Sequence, residues 1–444
     1  MVMKDFKKRY LIPLVKTILF MLVVFLIVGN VQYLLQYRER HNDNSSFQII
    51  NFYKEDKNAM DAVFIGSSCT FSYYSPLLAY KSHGLKTTNY SSSGMGMLAY
   101  RYAIEEVRKT QKDALIVLTV TPSEEMQYLG VHFMADYMPL SMNKVRFLTR
   151  YFTQDGESIL NSIGFYFTLM EFHDRWAEVT KDDLVIDEGI KGATRHHYYL
   201  ETINDISEYC ETETQKLAMP KQMEYLMNDL LDYCDAKKEN IVFLFPPKAY
   251  TAEEYGEMNT LTDLIRERGY EVLDLRDQFD ELHLDIKQDF YDIDHTNIHG
   301  SIRYTDYLAR YVMKKRECTL GSDAKWDEAV NKYDQIIKNN VLDIETDMIH
   351  HDYAMDKPQS LDAQVENSNV SLTWSGVDEA DRYFVYRKTD GVFLKIGETS
   401  ELSFTDKNVD KNVYTYTVLS LKEENGEMIY GNYDYRGVKV EVNK

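Results

Sequence analysis

Cysteine is scarce in this chain. Four residues of 444, Cys69, Cys210, Cys234 and Cys318, lie far apart, and no Cys-x-x-Cys pair occurs. That spacing gives neither a cysteine-based zinc site nor a disulfide framework. Positive charge is also short: 50 lysines and arginines stand against 71 aspartates and glutamates, a net of −21. The deficit is uneven, because residues 1–40 are net +5 and the remainder carries −26. So acidic a body argues against nucleic acid as a partner. Phosphate-cradling loops are missing too. There is no Walker loop, and Gly94-x-Gly96 lacks the third glycine of a dinucleotide fingerprint, so no cofactor is expected.

What is present begins with an apolar run. Thr17–Tyr37 holds no charged residue, and at ~1.5 Å per helical residue it spans a ~30 Å hydrocarbon core. Basic residues precede it, so the amino terminus is expected in the cytoplasm and the bulk of the chain outside the cell membrane. A cleaved signal peptide is the competing reading, but no A-x-A-like site closes the run. Residues 1–40 therefore read as a basic segment and signal anchor.

Beyond the anchor the grammar is βαβ. Ala62–Ile65, Lys86–Tyr90, Ala114–Val120, Ile241–Phe245 and Tyr270–Leu275 read as short buried strands. Helices are expected at Met97–Thr110, Met142–Phe152, Ser158–Trp176, Gln215–Ala236, Glu253–Gly269 and Gly300–Lys315. Short connections between them indicate a parallel sheet in one α/β domain over residues 48–318. Lys181–Thr214 has no assignable pattern. A linker with an amphipathic helix at Ala324–Asn339 covers 319–357.

From Pro358 the pattern changes to alternation. Val370–Trp374, Arg382–Arg387, Leu394–Gly397, Tyr414–Leu421 and Val438–Val442 read as strands of a β-sandwich over 358–444. Trp374, the run Tyr383-Phe384-Val385-Tyr386 and the run Tyr414-Thr415-Tyr416-Thr417-Val418 resemble a fibronectin type III module. That resemblance implies a core tryptophan and a tyrosine-marked corner strand.

Two stretches carry chemistry. Asp61–Pro76, DAVFIGSSCTFSYYSP, runs a buried strand into Gly66-Ser67-Ser68. This would present the Ser68 hydroxyl at the carboxyl end of a sheet, where open α/β folds place their sites. Serine needs a base to become a nucleophile. Phe290–Gly300, FYDIDHTNIHG, supplies one: Asp292 stands three residues from His295 and can fix its tautomer.

Together, Gly66-Ser67-Ser68, Gly94 after a second strand, and Asp292-x-x-His295-x-Asn297-x-x-Gly300 resemble the SGNH/GDSL hydrolase superfamily. The closer resemblance is to its membrane-anchored cell-envelope branch, which acts on lipoteichoic acid and exported polysaccharides. The resemblance implies a flavodoxin-like three-layer sheet, Ser68 as nucleophile, His295 as base and Asp292 as orienter. It further implies oxyanion or substrate contacts from Ser68, Gly94 and Asn297. The family's third block carries an asparagine; here Leu118–Glu124 reads LTVTPSE, leaving Thr121 or Ser123 as substitutes. The implied activity is a serine esterase or O-acyltransferase on acyl esters of envelope glycans, and the implied partners are that glycan and a membrane acyl-transfer protein. The alternative is a catalytically degenerate surface module that binds glycan or protein.

Each residue also has a plainer reading. Ser68 alone would be a helix cap. Asp294 competes with Asp292, and the family spacing selects Asp292. Cys69 is intrinsically the better nucleophile, yet reads as packing. His295 and His299 with the two aspartates offer a metal alternative, which is set aside for no metal. Phe172-His173-Asp174-Arg175-Trp176 is either a helix end or a substrate contact.

Overall fold

The computed structural model describes residues 11–35, 47–122, 126, 128–154, 156–177, 179, 192, 213–286, 289–340, 355–389, 392–424, 427–434 and 437–443, with the side chains of 33, 299, 334–340, 389, 392–394 and 427 excepted. Most of Lys181–Thr214, as well as Ser123 and Cys210, lies outside them.

Helix α1 (Ile12–Leu35) is long and apolar enough to cross a membrane over Ile12–Gln32. It starts five residues before the expected span because Pro13 is at home in a first turn, where its missing N–H costs nothing. After the short α2 (Phe47–Phe52) the parallel sheet begins. Its strands are β1 (Ala62–Gly66), β2 (Thr87–Ser91), β3 (Leu115–Thr119), β4 (Ile241–Phe245) and β5 (Glu271–Asp274), in the order β2-β1-β3-β4-β5. Every residue of β1 to β4 is buried; β1, β3 and β4 accordingly read as nearly unbroken apolar runs, whereas β2, TTNYS, is mostly polar. The order reverses between β1 and β3, and the cleft at such a reversal is where doubly wound sheets hold ligands.

Helices cover both faces. On one side Met97, Ile104 and Val107 of α5 (Met97–Arg108) and Leu230 of α9 (Lys221–Lys237) pack on Val63, Ile116 and Phe243. On the other, Tyr304, Leu308 and Val312 of α11 (Ile298–Lys315) pack on Phe64, Val117 and Leu244. Between β1 and α5 lie α3 (Ser68–Tyr73) and α4 (Pro76–His83). Helix α9 begins after Pro220 rather than at Gln215, because the residue before a proline is driven out of helical conformation. Helix α10 (Ala252–Glu267) opens with a full capping box between Thr251 and Glu254.

An insertion follows β3: α6 (Tyr128–Ala135), α7 (Met142–Gln154) and a broken segment. Ser158–Trp176, expected as one helix, is a 3-10 turn at Ile159–Phe165, the short α8 (Thr168–Glu171) and a second 3-10 turn at His173–Ala177. The Glu171 side chain folds back against Gly164, where a Cβ would lie 2.7 Å from its Oε2.

After α12 (Ala324–Asn340) the C-terminal region is an all-β sandwich. One sheet runs β10 (Ser403–Asp406), β7 (Asn369–Thr373), β6 (Asp362–Glu366). The other runs β12 (Glu427–Tyr433), β11 (Asn412–Glu424), β8 (Arg382–Thr389), β9 (Val392–Thr399), with β13 (Val438–Val442) also on β11. Trp374, Tyr383 and Tyr416 fill the space between them. The Tyr414 hydroxyl donates to the Asp410 carbonyl at 3.1 Å, a tyrosine corner at the start of a central strand. These features are consistent with a fibronectin type III-like domain.

The sandwich is docked on the α/β domain. Arg303, buried on α11, pairs with buried Asp289 and donates to the Tyr433 hydroxyl at 2.9 Å. Asn432 Nδ2 donates to His283 Nδ1 at 3.2 Å beside it.

Candidate active site

Gly66 ends β1 at φ +152°, and a Cβ there would stand 2.8 Å from the Thr119 carbonyl oxygen of the neighbouring strand. Only glycine lets the chain turn this sharply between strands. Ser67 stays extended, and Ser68 opens α3 at the carboxyl end of the sheet. The expectation for this stretch is met in the backbone.

The second stretch comes back to the same place from 227 residues away. An antiparallel bridge between Phe290 and Thr296 closes Tyr291–His295 into a loop, with Phe290 fully buried as its root. Thr296 Oγ1 donates to the Ser72 carbonyl at 2.8 Å, tying this loop to α3. His295 Nε2 thereby sits 2.7 Å from Ser68 Oγ. His295 Nδ1 is 2.9 Å from both carboxylate oxygens of Asp292. Because Asp292 only accepts, the ring proton sits on Nδ1, and Nε2 is free to accept from the serine hydroxyl.

Asp292 is itself held. The backbone N–H groups of Asp294 and His295 both donate to Oδ1 at 2.8 Å. Burial works against its charge. The bond and charge of His295 and those two N–H groups outweigh it, and its carboxyl lies below the usual carboxylate range. Asp294, the competitor, faces elsewhere: it takes the Lys248 ammonium at 2.6 Å. Burial alone would depress Lys248, but Asp294, Cys69 and Glu254 reverse this and leave it above its ordinary value.

Cys69 is buried, and its Sγ donates to the Asp294 carbonyl at 3.3 Å. Burial first, then the Asp294 charge, pushes the thiol up to about 12, so at neutral pH it is no nucleophile.

These groups open on a cavity of 530 Å³ lined by Ser68, Gly94, Thr121, Lys248, Tyr291 and His295, among others. Gly94 turns at φ +68°, and helix α6 backs it so closely that a Cβ on Gly130 would lie 2.9 Å from its carbonyl oxygen. Thr121 follows β3 across the reversal from Ser68 and lines the cavity, where it was expected as a substitute for an asparagine. Met95 and Met97 are packed in the core.

Asn297 does not join the cavity, which corrects the expectation that it contacts substrate or oxyanion. It is fully buried at the start of α11, where its Oδ1 accepts from the Gly300 N–H at 3.2 Å. A short polar side chain directly before a helix is drawn to the unpaired N–H groups there. The metal alternative required His299, whose side chain lies outside the described residues. The Phe172–Trp176 cluster lies away from the cavity lining and contacts the end of α1 instead: Arg175 Nη1 donates to the Leu35 carbonyl at 2.9 Å.

Sequence reasoning missed Lys248 and Tyr291. Tyr291 stacks on the His295 ring, 5.5 Å between centroids and 13° between planes. Its adjacency to Asp292 was a usable signal. Lys248 had none, since only the β4 fold path brings it in.

No protein-family profile and no curated protein matches the chain. Solved structures do. The structure titled FN3tt mut is 20% identical, covering 20% of this chain and 98% of its own, at a TM-score of 0.18. An Fn3-like protein from Clostridium thermocellum is 25% identical over 18% of this chain and 88% of its own, at 0.16. The fn3 domain of the human collagen alpha-1(XX) chain is 18% identical over 20% and 86%, at 0.17.

Proposed function

We propose that this chain is a membrane-anchored serine esterase or O-acyltransferase of the SGNH/GDSL type, acting on acyl esters of cell-envelope glycans. The observation that carries the reading is the unbroken relay from Ser68 Oγ through His295 to Asp292, at 2.7 and 2.9 Å, opening on a cavity at the sheet's reversal.

The chemistry follows from the positions. Ser68 Oγ attacks the ester carbonyl carbon as its proton passes to His295 Nε2, and Asp292 stabilises the resulting imidazolium. The N–H groups of Ser68 and Gly94 receive the oxyanion; one such donor is worth ~3 kcal/mol. Collapse breaks the ester C–O bond, and His295 returns its proton to the departing alcohol. Water or a glycan hydroxyl, deprotonated by His295, then releases the acyl group from Ser68. The two outcomes differ only in this second nucleophile. Thr121, rather than an amide side chain, flanks the oxyanion position. The burial of the last residue of α1 against the domain supports an anchor over a cleaved signal.

The test is hydrolysis of p-nitrophenyl acetate by the detergent-solubilised chain, with O-acetylated and de-acetylated polysaccharide as competing donor and acceptor. Turnover abolished by Ser68→Ala supports the reading. Turnover equal in wild type and Ser68→Ala would overturn it, and glycan binding without any turnover would favour a binding module.

A further inference from the structure

The insertion that backs Gly94 also carries a band of outward apolar side chains. Leu160 is 68% exposed, Phe167 55%, Met170 61% and Trp176 58%. They are not scattered: the Ile159–Phe165 turn packs on α8, and α8 on the His173–Ala177 turn. Single exposed apolar residues are ordinary, but a contiguous group marks a surface that something covers.

Its place beside α1 says what covers it. Most of α1 is exposed, but Val28, Val31, Gln32 and Leu34 are partly buried and Leu35 fully, against this segment. Arg175 bonds the Leu35 carbonyl directly. The 21 residues Ile12–Gln32 of α1 are by themselves long and apolar enough for the hydrocarbon core; with that stretch seated in the core, Leu35 is one short step beyond, ~4.5 Å along the axis. The headgroup layer on each side of a bilayer is ~5–7 Å thick. A segment gripping Leu35 therefore stands in that layer, with tryptophan, phenylalanine and leucine turned outward, side chains that settle at such a boundary.

We infer that Leu160, Phe167, Met170 and Trp176 form a face that rests in the headgroup boundary of the bilayer crossed by α1. The inference rests on reading α1 as a membrane anchor. Tyr128 at the head of α6 donates to Glu171 at 2.7 Å, so the same insertion joins this face to the loop of Gly94. Seating the face on lipid fixes the height and tilt of the cavity above the membrane.

The test uses the full chain in vesicles of phosphatidylethanolamine and phosphatidylglycerol, with and without lipids brominated near the headgroup end of their acyl chains. Trp326 and Trp374 are buried in the protein, so Trp176 is the reporter. The chain is expected to float with the vesicles, brominated lipid to quench part of its tryptophan emission, and Trp176→Phe to abolish that quenching while flotation persists. Flotation without quenching would overturn the inference and leave the anchor standing. So would Trp176 emission that shifts blue with protein concentration but is not quenched, since a second copy or another protein would then cover the face. Failure to float would overturn the anchor reading and this inference with it.

Discussion

Replacing Asp292 by asparagine changes one atom, and the geometry says what that atom does. Both backbone N–H groups, of Asp294 and of His295, converge on Oδ1 at 2.8 Å. In Asp292→Asn the side-chain carbonyl is pinned there by the same two donors, so the new NH₂ group takes the Oδ2 position. That group donates, and it stands against His295 Nδ1, 2.9 Å from Oδ2 in the native chain. Nδ1 is equally close to Oδ1, but that oxygen already takes two backbone N–H groups, so the clash with the NH₂ favours the tautomer that accepts at Nδ1 and carries its proton on Nε2, the nitrogen facing Ser68. A base already holding its proton cannot take another from serine. The expected loss is ~10⁴-fold in the rate at which Ser68 is acylated, equivalent to about 5 kcal/mol of barrier. The assay is the second-order rate of labelling by a fluorescent fluorophosphonate, with Asp294→Asn alongside. Asp294 engages Lys248 rather than the imidazole, so that variant should lose less than about tenfold. A labelling rate for Asp292→Asn within tenfold of wild type, with unchanged thermal stability, would refute the reasoning.

Cys69 should resist iodoacetamide in the native protein at pH 8, since its thiol sits near 12 and is buried; intact-mass measurement before and after unfolding checks this. Gly66→Ala should lower stability by about 1–3 kcal/mol through backbone strain and contact with Thr119. Calorimetry would show it in the transition of the α/β domain, with Ser68 labelling reduced in parallel. The dock between domains should weaken in acid. Burial first, then Arg303 and Arg310, lowers the pKa of His283, which accepts from Asn432. Stability is therefore complete above about pH 6.5, where the unfolded histidine is already neutral, and declines as pH falls toward the depressed folded value. Chemical denaturation at pH 7.5 and 5.5 should show a drop that His283→Gln diminishes.

Much of this was legible in the sequence, and the exceptions have physical causes. β1, β3 and β4 are buried on both faces and read as plain apolar runs. Ser68, Asp292 and His295 sit within short local patterns, and the fold brings the three side chains together. Lys248 does not: it reaches the cavity only because β4 lies beside β3, a tertiary fact without a local signature. Ser158–Trp176 misled because its outward apolar residues mimic a helix face, although they turn to the surface. In the sandwich, β6, β10 and β12 escaped notice. β6 is exposed at four of five positions and β10 has only four residues, so neither displays a clear alternating apolar face.

The central claim is an activated serine at position 68, and one measurement meets it most directly. The detergent-solubilised full chain is incubated with a fluorescent fluorophosphonate, digested, and the labelled peptide sequenced, with Ser68→Ala and His295→Gln in parallel. The account predicts label on Ser68 alone, absent from Ser68→Ala and strongly reduced in His295→Gln. Label that persists in Ser68→Ala, or wild-type protein that stays unlabelled while correctly folded, would contradict it.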